Sequence, residues 1–195
     1  MRVLVISDSH GRKMAEVLER KKTSWNVLTL SLGRKIPAIR RLYQSKLRAI
    51  RRFRPDIVVM HLGHNDLVLH HLHNMDPNFI TTVLADLYAF AGRVASDLPR
   101  SRVYLSSMFP RVEAEWFDES MVGKYNRMAR RFGERLRSQS NQIGSVFHAI
   151  INRKLWGRIA RWETLPGNHK IDGLHLCREG RDVVGDGWIK AILNE

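Results

Sequence analysis

Apolar positions along this chain follow two rhythms. Short continuous runs, such as Val3-Leu4-Val5-Ile6 and Ile57-Val58-Val59-Met60, alternate with longer stretches in which apolar residues recur every three or four positions. The short runs, rich in β-branched residues, predict strands buried on both faces, and the longer stretches predict amphipathic helices. Strands are predicted over Val3–Ile6, Asn26–Leu32, Asp56–Leu62, Arg102–Ser107 and, more briefly, Ile143–His148. Between them lie a short helix over 12–22 and a helix over Ile36–Arg54 with Ile39, Tyr43, Leu47, Ile50 and Phe53 on one face, stopped by Pro55. A third helix starts at Asp76-Pro77, a cap followed by a first-turn proline, and ends near Leu98. A fourth spans about Asp118–Arg137 with Met121, Tyr125, Met128, Phe132 and Leu136 inward, and the last spans about Glu179–Leu193. Leu67–Asn74 reads as a loop or short helix, and Pro166–Leu176 as a loop.

Strands separated by helix-length segments give repeated βαβ units, hence a parallel five-stranded sheet with helices on both faces: a three-layer α/β/α fold. No internal repeat, low-complexity run or linker interrupts the pattern, so residues 1–195 are expected to form a single domain. The length suits one full core. No apolar stretch approaches the ~20 residues of a membrane span, and the amino terminus lacks the apolar core of a signal peptide. The lone Cys177, expected as a packed thiol, excludes an internal disulfide. Together these predict an intracellular, cytoplasmic domain.

Charge changes the picture in one respect. The formal net charge is +14, with arginines concentrated in the second and fourth helices. Such an excess predicts weak, salt-sensitive contact with nucleic acid or an anionic surface. A solvated face is the plainer reading of the same arginines.

The candidate chemistry lies at the ends of the strands, where open α/β sheets bind ligands. The first strand runs into Ser7-Asp8-Ser9-His10-Gly11, which carries two readings. Asp8 and His10 have the spacing that opens a metal-dependent phosphoesterase site. That shell also needs a Gly-Asp pair after the second strand and Gly-Asn-His after the third. The chain has Leu32-Gly33-Arg34 and Gly63-His64-Asn65-Asp66 there, and its Gly167-Asn168-His169 comes near the end with no bridging aspartate upstream. The cluster His70, His71 and His73 lacks cysteine or carboxylate at ligand spacing apart from Asp76.

The other reading makes Ser9 a nucleophile. Acyl transfer needs a hydroxyl, a base, a group to orient the base, and donors for the oxyanion. His175 supplies a base, and Asp172, three residues earlier in Asp172-Gly173-Leu174-His175, an orienter. The backbone N–H groups of Ser9 and Gly33 and the side-chain amide of Asn65 supply donors. Asp8 reads as a structural residue bonding backbone in its turn, Asp66 as a turn residue or one that supports the site from behind, and Gly33 could equally serve a left-handed turn.

By the order and spacing of Ser7-Asp8-Ser9, Gly33, Gly63-His64-Asn65-Asp66 and Asp172-Gly173-Leu174-His175, the chain resembles the SGNH hydrolases, or GDSL esterase/lipase group. It is also similar to the SGNH modules associated with animal retroelements. The resemblance implies a flavodoxin-like fold and hydrolysis of carboxylic esters, short acyl or acetyl groups first, with neither metal nor cofactor. It implies Ser9, Asp172 and His175 as the triad and Ser9, Gly33 and Asn65 as the oxyanion hole. The chain departs from the family at Ser7, where glycine is usual. The rivals are the phosphoesterase using Asp8 and His10, and a basic nucleic-acid-binding module on an inactive scaffold.

Overall fold

The amino-terminal apolar run becomes β1 (Arg2–Ser7), with Val3, Leu4, Val5 and Ile6 wholly buried. The structure, a computed structural model, describes residues 1–9, 11–71, 79–112, 119–152, 162–164 and 171–194, with backbone alone at 11–12, 68–71, 162–164 and 171–174. After β1 come α1 (Gly11–Lys21), β2 (Asn26–Ser31), α2 (Ile36–Phe53), β3 (Ile57–His61), α3 (His64–His71), α4 (Phe79–Asp97) and β4 (Arg102–Ser106). The chain continues through α5 (Glu119–Ser140), β5 (His148–Ile150), β6 (Trp162–Thr164), β7 (Ile171–Leu176) and α6 (Arg178–Leu193).

Strands β1 to β5 form a parallel sheet in the order β2-β1-β3-β4-β5. Alternation along each strand sorts side chains between two layers. Leu4, Ile6, Val58, Met60, Val103 and Leu105 face α2, α4 and α5, while Val3, Val5, Ile57, Val59 and Tyr104 face α1 and α6. This is the expected three-layer arrangement, and it explains why the strands read as unbroken apolar runs.

Helix α2 buries Ile36, Ile39, Tyr43 and Ile50, and it ends at Arg54, in left-handed conformation ahead of Pro55. On its outer side Arg40, Arg41, Arg48, Arg51 and Arg52 are exposed, and they fall within about 120° of arc at the helical 100° per residue. On α5, Tyr125, Phe132 and Leu136 are buried as expected, joined by Ala129 and Gly133, while Met121 and Met128 are only half-buried. The described part of α4 begins at Phe79, so Asp76-Pro77 lies outside the described residues.

Three expectations need correction. The fifth strand is His148–Ile150, not Ile143–His148: Ile143 and Val146 sit in an exposed turn whose apolar residues imitate a strand. The segment expected as a loop to Leu176 holds β7 instead, antiparallel to β6 in a separate two-stranded ladder. Cys177 is half-buried just before α6 rather than packed in the core.

Candidate active site

The strand order reverses at β1. Its neighbours β2 and β3 lie on opposite sides, which opens a crevice at the carboxyl ends of β1 and β3. The register places those ends level, with Ser7 opposite both Ser31 and His61. Ser9 therefore stands two residues past β1, with Gly33 just past β2 and Asn65 just past β3, on one rim. Cross-links hold the three turns together. The Leu32 N–H donates to Ser7 O at 3.2 Å, the Asp8 N–H to His61 O at 3.4 Å, and the Ser31 hydroxyl to Asp8 O. The Asn65 amide reaches Arg34 O at 3.4 Å, next to Gly33.

Ser9 is exposed, and among the described residues neither its hydroxyl nor its N–H has a hydrogen-bond partner. The same holds for the Gly33 N–H. Gly33 is not in a left-handed turn, and a Cβ placed on it meets open space. The turn that requires a glycine is at Gly63, with φ +107° and a Cβ position blocked by Met108 Cε. That turn delivers His64 and Asn65 to the rim as the first residues of α3. Asp66 lies in the first turn of α3 and supports the rim from behind. Both its oxygens accept from the Ile36 N–H, at 3.2 and 3.4 Å, so it caps α2 from a distance of 30 positions in sequence. Burial pushes its carboxyl up to about 6, against the pull of the Ile36 N–H and Lys35.

Beneath the rim lies a buried polar network that the sequence reading did not anticipate. Asp8 is 1% exposed, and its Oδ2 lies 3.3 Å from His64 Nδ1. The other ring nitrogen of His64, Nε2, accepts from the Phe109 N–H at 3.0 Å. A nitrogen that accepts carries no proton, so a neutral His64 has its proton on Nδ1, facing Asp8. Burial and then the Arg111 guanidinium hold His64 well below the usual histidine range.

His61 Nδ1 lies 3.2 Å from Ser106 Oγ, which accepts from Trp188 Nε1 at 3.0 Å and from Asn152 Nδ2 at 2.9 Å. Burial and the neighbouring His64 bring His61 down to about 3, against the raising effect of Asp8. Arg111, 2% exposed, stands over the Tyr125 ring at 5.3 Å, and its backbone N–H donates to Asn126 Oδ1 at 2.7 Å. The available signal was local: His61 closes an otherwise apolar strand, Ile57-Val58-Val59-Met60-His61, whose every position is buried.

The remaining two candidate residues belong to the hairpin. Trp162 pairs with Leu176 and Thr164 with Ile171, so β7 is bulged between them, and Asp172 and His175 both lie in that irregular stretch. Bulges of this kind re-aim side chains beside active sites. His175 is half-buried; the side chain of Asp172 lies outside the described residues. The hairpin runs directly into α6, where Arg181 Nη1 donates to Leu176 O at 2.7 Å and Trp188 donates to Ser106. One continuous element thus links the end of β7 to the network under the rim.

Nothing in this donor set suits a metal. Among the described residues no three His, Cys, Asp or Glu side chains gather as a metal site, and the nitrogens of His64 are turned to Phe109 and Asp8. His10 and His73 lie outside the described residues, as do the side chains of His70 and His71. A cavity of about 320 Å³ opens two strands away, between α5 and the ends of β4 and β5, lined by Ser107, Arg130, Gly133, Glu134, Arg137 and Ile151 among others. Among the described residues, no helix is long and apolar enough to cross a membrane.

Solved structures with the same architecture include esterases and lipases. A lipase from a goat rumen metagenome superposes over 98% of this chain and 97% of its own, with 12% identity and a TM-score of 0.70. A GDSL-like lipase from Bacteroides thetaiotaomicron covers 99% of this chain and 88% of its own at 14% identity and a TM-score of 0.63. For an acetyl xylan esterase the figures are 99%, 100%, 16% and 0.59. No protein-family model and no curated protein sequence matches the chain. At these identities the likeness establishes the fold, the three-layer α/β/α fold of SGNH hydrolases, in agreement with the four motif blocks.

Proposed function

We propose that this protein is a serine esterase acting on carboxylic esters, short acyl groups foremost, with Ser9 as nucleophile. One observation carries the reading. At the switch point of the sheet an exposed hydroxyl, two unengaged backbone N–H groups and an amide side chain share one rim, as acyl transfer demands. Ser9 Oγ attacks the ester carbonyl carbon while His175, oriented by Asp172, accepts the hydroxyl proton. The N–H groups of Ser9 and Gly33 and the Asn65 amide stabilise the oxyanion. The proton passes to the departing alkoxide, and water then releases the acyl group from Ser9 by the same steps. In a free enzyme the bond from nucleophile to base is often long and tightens with substrate bound.

The esterase and lipase names of the fold neighbours support the reaction class. Hydrolysis of p-nitrophenyl acetate tests it. Ser9→Ala should lower kcat by 10³-fold or more, on the order found for serine hydrolases, and a chelator should leave the rate unchanged. Turnover that survives Ser9→Ala would overturn the assignment, and loss of turnover to the chelator would favour the phosphoesterase rival.

A further inference from the structure

We infer that the buried Asp8–His64 contact is a positioning device that locks the turn carrying Ser9 to the turn carrying Asn65. The inference rests on the esterase reading, because it assigns those two residues the roles of nucleophile and oxyanion donor. Asp8 immediately precedes Ser9, and His64 immediately precedes Asn65, so each side chain of the pair sits one Cα step, about 3.8 Å, from the residue it would hold. Asp8 Oδ2 and His64 Nδ1 are 3.3 Å apart, a close polar contact rather than an aligned hydrogen bond, and both side chains are 1% exposed. The imidazole is gripped from a third side by the Phe109 N–H at 3.0 Å, so one ring ties together the ends of β1, β3 and β4.

The chemistry of the ring enforces this arrangement. A proton on Nε2 would confront the Phe109 N–H donor to donor, so Nδ1 must carry the ring's single proton, and Nδ1 faces Asp8. The ionisable groups acting on the ring pair are Asp8 from the end of β1, His61 on β3 and Arg111 beyond β4. Gly63 makes the same point from the backbone: its positive φ fixes where His64 starts α3, and hence where Asn65 points along the rim.

Two substitutions divide the ring's two contacts. His64→Asn retains a donor near the place of Nδ1 and gives up the acceptor for Phe109. His64→Gln retains an acceptor near the place of Nε2 and gives up the polar nitrogen that faces Asp8. With p-nitrophenyl acetate, His64→Gln should lower kcat by about 10²-fold, the cost of displacing reacting groups by about 1 Å, while KM changes less than about threefold. His64→Asn should recover a large part of that loss. Nitrogen-detected NMR of the full-length wild-type chain at pH 7 should show, besides the ring of His175, an imidazole with a protonated Nδ1 and a bare Nε2, a signal absent from both variants. A folded His64→Gln variant with wild-type kcat, or a His64 ring protonated on Nε2, would overturn the inference. Ser9→Ala with full turnover would instead overturn the esterase reading, and the ring spectrum would still report on the pair by itself.

Discussion

The two halves of the candidate site are built on different foundations. Ser9, Gly33 and Asn65 stand at the level ends of three adjacent parallel strands, cross-linked by backbone bonds and underpinned by Asp8, His64 and Phe109. Asp172 and His175 stand on a bulged two-stranded ladder, joined to the sheet through α6 and its Trp188. Groups that stabilise charge must be fixed before the reaction begins, because their value lies in needing no reorganisation. A base must move a proton between two oxygens. On the proposed esterase reading, the sheet rim would carry the electrostatic part and the hairpin the proton-transfer part.

The comparison breaks most severely if the halves prove independent. His175→Ala should lower kcat by about as much as Ser9→Ala, 10³-fold or more, and the double variant should be no worse than either single one. Additive losses in single-turnover kinetics would mean that the two residues do not act as one unit. Next in size is Asn65→Ala, which removes one oxyanion donor and should cost 10²- to 10³-fold in kcat, roughly 2.7–4 kcal/mol. A change confined to KM would place Asn65 in substrate binding instead.

Smaller effects test how the rim is supported. Gly63→Ala forces a side chain into φ +107° and against Met108 Cε; a backbone strain of about 1–3 kcal/mol follows. Chemical denaturation should show that loss. Acid should weaken the same region. His61 and His64 are held neutral when folded, below their unfolded values, so the stability they contribute is full above pH 6.5 and declines as pH falls toward the folded pKa. For His61, at about 3 when folded, that is about 2 kcal/mol lost between pH 7 and pH 5. His64 adds to the loss. Asp66, raised to about 6, has the opposite sign and returns about 1 kcal/mol over the same interval. Urea unfolding at the two pH values measures the balance, and stability that rises on acidification would contradict it.

What could be read from the sequence follows from what is local. Val3-Leu4-Val5-Ile6 and Ile57-Val58-Val59-Met60 announce buried parallel strands because burial on both faces leaves no polar alternation. The switch-point rim follows once their order is known. The fifth strand was misplaced because Ile143 and Val146 are apolar residues in an exposed turn, and composition cannot report exposure. Strand β7 escaped because its pairing with β6 is irregular and short. The contacts Asp8–His64, Asp66–Ile36 and Ser106–His61 each span 30 or more positions in sequence, so only the folded chain brings these residues together. The arginine stripe of α2 was legible as charge, and the structure adds that it faces solvent.

The central claim is that the hydroxyl at the carboxyl end of β1 is the nucleophile, and a fluorophosphonate that traps activated serines tests it most directly. Mass spectrometry of the labelled protein should find the adduct on the peptide bearing Ser9, with none on Ser9→Ala and slow labelling of His175→Ala. An adduct on Ser7, Ser107 or any other serine, or no adduct on an enzyme that turns over esters, would contradict the account.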